Sequence, residues 1–133
     1  MSTAQNLLVG YGVIVLTYGL LLGVPLAAVR SSAPHASRHL VTAHLSGLIQ
    51  GPVALGLAFA IGAVSFDSTV STVAATLVIA GLAAETLGGT LNWLQGAGDQ
   101  FEEKGPGFWV NALTGVLAIP GALIITVAVI TKL

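Results

Sequence analysis

Four long apolar stretches constrain this chain more than anything else in it. They cover residues 6–29, 40–66, 69–94 and 108–131, and each exceeds the roughly 20 residues a helix needs to cross a bilayer core. Lipid offers exposed backbone no partner, so each stretch must satisfy its own N–H and C=O groups, as a helix does. Of the 133 residues, 55% are hydrophobic and 7% charged, against about a quarter charged in an ordinary soluble domain. The expected fold is therefore an all-α membrane protein: four transmembrane helices in an antiparallel bundle, one domain over residues 1–133.

Composition also excludes whole classes of chemistry. There is no cysteine, so disulfides, thiolate metal sites and cysteine nucleophiles are out. A net charge of -1 without a basic run gives no footing for nucleic acid. Residues 1–5 are polar and carry no basic n-region, so no cleaved leader is expected. Spacings for metal clusters, P-loops and nucleophile elbows are missing as well.

The connections are short: a basic stretch over 30–39, a tight turn at Asp67-Ser68, and a glycine-rich acidic loop over 95–107. Arg30, Arg38 and Lys104 lie in the first and third connections, and only Lys132 lies near the opposite face. The positive-inside rule then puts loops 30–39 and 95–107 in the cytoplasm. Trp93, Phe101, Phe108 and Trp109 read as an interfacial aromatic belt. His35 and His39 read as solvated loop residues.

Within the spans stand one histidine, His44, and one carboxylate, Glu85. Ionisable groups at bilayer depth are costly and usually functional. Spans two and three run antiparallel, so depth can be matched between them. Gln50 lies about 9 Å deeper than His44, and Glu85 about 10 Å deeper than Asn92, at the helical rise per residue. His44 then pairs in level with Asn92 and Trp93, and Gln50 with Glu85. Glu85, Gly88, Gly89 and Asn92 share a face at helical spacing. Together these residues outline one polar, glycine-lined cleft with room for a flat ligand. Gln50 and Asn92 are also expected to bond across helices.

Bland roles stand beside these. Gly19-x-x-x-Gly23 and Gly47-x-x-x-Gly51 fit close helix packing better than ligand binding. Pro25, Pro52 and Pro120 shape their helices, although Pro52 could open a pocket after Gln50-Gly51. Tyr11 and Tyr18 share one face of the first span, directed into the bundle or at a subunit contact. His44 could simply reach the interface, yet a neutral imidazole is a common metal ligand and haem iron needs only one. A small proton-coupled transporter with Glu85 as proton carrier is a further possibility, but no inverted repeat is visible.

The stretch Thr42-Ala-His-Leu-Ser-Gly-Leu-Ile-Gln-Gly-Pro, the helix ending Gly62-Ala-Val-Ser-Phe66, and Gly89-Thr-Leu-Asn-Trp93 carry a resemblance. They are similar to the small four-helix membrane isomerases typified by hydroxylaminobenzene mutase and styrene oxide isomerase. The third-helix ending resembles the mutase branch more closely. The resemblance implies an isomerase in a bacterial inner membrane, a homotrimer acting on a small apolar aromatic substrate that partitions into lipid. It implies haem b, with His44 as the iron ligand and Gly47, Gly51 and Trp93 around the cofactor. Ferric haem would act as a Lewis acid, and Gln50, Asn92 and Glu85 would serve the substrate. The expected reaction moves a hydroxyl group within an aryl hydroxylamine to give an aminophenol; the alternative is isomerisation of an epoxide to an aldehyde.

Overall fold

The computed structural model describes residues 1–98 and 104–132. Phe101, expected in the aromatic belt, and the acidic residues of loop 95–107 lie outside the described residues.

The described residues form four helices: α1 (Thr3–Ser32), α2 (Arg38–Gly62), α3 (Ser68–Leu94) and α4 (Pro106–Lys132). All four are long and apolar enough to cross a membrane. Their ends follow local chemistry. Ser2 and Gln5 form a reciprocal capping box, with Gln5 Oε1 accepting from the Ser2 amide at 2.7 Å, which satisfies orphan donors and starts α1 three residues before the expected span. Asp67 accepts from the Val70 amide at 2.9 Å and caps α3. Pro106 opens α4, a position where its missing N–H costs nothing. The second helix differs from expectation: it stops at Gly62 rather than running to residue 66. Glycine is a poor helix former, and the residues that follow turn the chain toward Asp67.

Tight glycine contacts build two helix pairs. Across α1 and α2, a Cβ added at Gly47 would lie 2.6 Å from Gly19 Cα, and one added at Gly12 would lie 3.0 Å from the Gly51 carbonyl oxygen. Across α3 and α4, Gly81 faces Ala118, Gly88 faces Gly107 and Asn111, and Gly121 faces Ala74 and Val78. Such approach is what holds helices together where lipid removes the hydrophobic drive between them. The helix-packing role read for the glycine repeats is therefore realised. In this arrangement α2 and α3 each touch all three other helices, and α3 carries the main contact with α4.

The core comes in two apolar clusters. One gathers Leu8, Ala54, Ala58, Ile61, Ala74, Val78 and Ile125 toward the α2–α3 turn. The other joins Leu22, Leu40 and Ala43, with Tyr18, Leu26 and Trp93 packed on it. Between them each of α1, α2 and α3 turns polar residues inward: Tyr11 and Tyr18, then Ser46 and Gln50, then Glu85, Thr86 and Thr90.

Candidate functional site

The polar layer centres on Gln50, which is only 4% exposed. Its Oε1 accepts from the Tyr11 hydroxyl at 2.7 Å and the Thr86 hydroxyl at 2.9 Å. Its Nε2 donates to Glu85 Oε2 at 3.1 Å, while Glu85 Oε1 accepts from Ser46 Oγ at 3.1 Å. One residue of α1 and two of α3 thus meet on a single α2 amide. The depth match between Gln50 and Glu85 is borne out. A parallel bond joins Tyr18 to Thr90 Oγ1 at 2.9 Å. Since Thr90 donates its only proton to the Thr86 carbonyl at 2.8 Å, Tyr18 is the donor here. Both tyrosines point into the bundle.

His44 faces elsewhere. Its Nδ1 lies 2.7 Å from the Gly19 carbonyl oxygen of α1. A carbonyl can only accept, so Nδ1 carries a proton, and in the neutral ring Nε2 keeps its lone pair. Gly23, one turn on, leaves room for the ring: a Cβ there would come within 3.3 Å of His44 Cε1. The half-buried imidazole lines an open groove of about 510 Å³ together with Leu26, Arg30, Pro34, His35, Ala36, Val41 and Leu45. An imidazole tied at Nδ1 to a backbone carbonyl, with Nε2 free, is the common presentation of a histidine metal ligand.

The single cleft expected from depth matching is therefore divided. Among the described residues, no hydrogen bond joins His44 to Gln50, Glu85 or Asn92, and none of these three lines the groove. The glycine-lined face of α3 splits as well. Glu85 and Gly89 meet α2, at Gln50 and Ala43, whereas Gly88 and Asn92 turn to Gly107 of α4. The space left by the glycines is filled by neighbouring helices. Among the described residues Asn92 makes no side-chain bond across helices, contrary to expectation; its buried Oδ1 has no partner there and lies against Gly107. Trp93 packs against the apolar cluster of Leu22, Leu40 and Ala43, while Trp109 is exposed and stacks edge-on with Phe108 at 5.3 Å. Gly47 and Gly51 spend their bare faces on α1. Pro52 is exposed within α2 and lines neither this groove nor the apolar one at Phe66 and Val70.

One further correction concerns the basic loop. His39 belongs to the first turn of α2, half-buried, with Nε2 3.0 Å from the Gly98 carbonyl oxygen; it ties the first connection to the third. His35 is exposed but lines the His44 groove. Sequence reasoning also missed Ser46, Thr86, Thr90 and Arg30. Ser46 and Thr86 had a readable signal, since each sits one turn or less from a singled-out polar residue.

Against known proteins, the family described as styrene oxide isomerase matches over residues 4–133, nearly the whole chain. No curated protein and no solved structure matches it.

Proposed function

Because the chain belongs to the styrene oxide isomerase family, and is therefore read as a membrane isomerase, we propose that it converts an aryl hydroxylamine to an aminophenol. In this reaction the N–O bond breaks, the oxygen adds to a ring carbon, and the hydrogen displaced from that carbon ends on nitrogen. Nothing is consumed besides the substrate. The observation that carries the reading is His44, held at Nδ1 by the Gly19 carbonyl while its side chain lines a groove.

The residues present fit haem b, the cofactor implied by the resemblance. His44 Nε2 would hold the iron, and Leu26, Val41 and Leu45 would cover the apolar ring. When bound, ferric haem supplies a Lewis acid that polarises the N–O bond. The chain itself does the rest. Gly19 and Gly23 fix the imidazole. Ser46, two residues from His44, is tied through Glu85 to Gln50 and so to α1 and α3, which holds this part of α2 in place. The mostly apolar lining of the groove disfavours water, which would otherwise trap the aryl cation formed as the oxygen leaves.

A second reading, isomerisation of a styrene-type epoxide to an aldehyde, is favoured by the family description itself. The third-helix ending Gly89-Thr-Leu-Asn-Trp93, which resembles the mutase branch more closely, supports the hydroxylamine. The same reading makes the protein a homotrimer of a bacterial inner membrane, with loops 30–39 and 95–107 cytoplasmic. The test is product analysis with hydroxylaminobenzene and with styrene oxide, run in ¹⁸O-labelled water. Aminophenol without label supports the proposal. Aldehyde alone selects the epoxide reaction, and labelled aminophenol contradicts a dry, intramolecular transfer.

A further inference from the structure

The groove beside His44 is mostly apolar, yet two basic side chains, Arg30 and His35, complete its lining. Arg30 stands two residues before the end of α1, at the boundary of the expected span, and is exposed. The chain has four lysines and arginines in all, and the other three have a local contact. Lys132 donates to the Ser65 carbonyl oxygen and lies over the Phe66 ring. Lys104 lies over the Phe108 ring at 5.9 Å, and Arg38 has a partner. Among the described residues, only the Arg30 guanidinium has neither a hydrogen bond nor a ring beneath it.

A guanidinium at the edge of an apolar recess is well suited to an anion, and its planar fork matches a carboxylate best. We infer that Arg30 is a positioning residue that pairs with a carboxylate on the ligand of His44. The groove would then hold an apolar, plate-like body through His44 and, by its acid substituents, through Arg30 at the membrane boundary. This inference rests on the haem reading, and haem b carries propionate side chains that supply the carboxylates. His35 lines the same groove.

The experiment compares ferric haem b with its dimethyl ester, which keeps the ring and iron but removes the charges. Each is titrated by its Soret absorption into haem-stripped full-length protein in phosphatidylcholine nanodiscs. A pair at an exposed arginine contributes up to about 1 kcal/mol, so the wild type should prefer haem b by about fivefold. In Arg30→Gln the preference falls to about one, while binding of the ester is unchanged. Arg30→Lys keeps part of the preference, because the charge survives but the fork does not. Equal binding of both porphyrins by the wild type, or a preference that survives in Arg30→Gln, overturns the inference and leaves the haem reading standing. Binding of neither porphyrin overturns the haem reading itself, and this inference with it.

Discussion

Replacing Gly47 by alanine tests how helix packing positions the candidate ligand. The added Cβ would sit 2.6 Å from Gly19 Cα, 2.9 Å from Gly19 N and 3.0 Å from the Val15 carbonyl oxygen. All three are backbone atoms, so no side chain can rotate away. Ordinary contact begins at 3.4 Å, and α1 must withdraw by about 0.8 Å, a gap that forfeits a quarter to a half of the dispersion attraction between facing atoms. Overpacking of this kind costs about 2 kcal/mol. For a chain of this size that lowers the melting temperature by about 8 °C. The same withdrawal stretches the His44 Nδ1 bond to the Gly19 carbonyl from 2.7 Å toward about 3.5 Å, beyond useful hydrogen-bond range. The control is Gly56→Ala, where nothing lies within 4 Å of the new Cβ. Melting in detergent, followed by tryptophan fluorescence, should show a clear loss for Gly47→Ala and none for Gly56→Ala. Equal melting temperatures for the two variants would refute the close α1–α2 crossing.

Other expectations concern the polar layer and the histidine cradle. Gln50→Leu strands the Tyr11 and Thr86 hydroxyls and one Glu85 oxygen; at about 0.6 kcal/mol per interhelical bond, melting should reveal a loss of about 2 kcal/mol. Tyr18→Phe removes one such bond, so its loss should be about 0.6 kcal/mol, with product formation unchanged. Glu85→Gln keeps hydrogen-bonding capacity but cannot carry a proton on and off, and should retain isomerase activity, whereas proteoliposome uptake that collapses in this variant would point to a transporter. Gly23→Ala brings a methyl within 3.3 Å of the His44 ring, and should shift the ¹⁵N resonances of the imidazole while leaving the melting temperature nearly unchanged.

The fold was largely legible because lipid leaves few options. Four stretches of spanning length must be helices, and short connections make neighbours antiparallel, so depth could be matched between α2 and α3. That match correctly brought Gln50 to Glu85. Direction around the helix axis was the missing information. His44 and Gln50 are six residues apart, a net rotation of about 120°, so one faces the α1 groove while the other faces the interior. A stripe such as Glu85, Gly88, Gly89 and Asn92 is wide enough to touch two neighbours. Nothing in the sequence said that α3 lies between α2 and α4 and divides its stripe between them. The Gly19 carbonyl that fixes His44 was invisible for a simpler reason: it is a backbone atom, brought near only by a glycine–glycine crossing.

The central claim is that His44 holds a haem iron in a membrane isomerase. The most direct test is the absorption spectrum of the purified protein beside that of His44→Ala. The account predicts a Soret band in the wild type that is lost in the variant and regained when imidazole is added. A wild-type protein with no Soret band that still isomerises its substrate would contradict it.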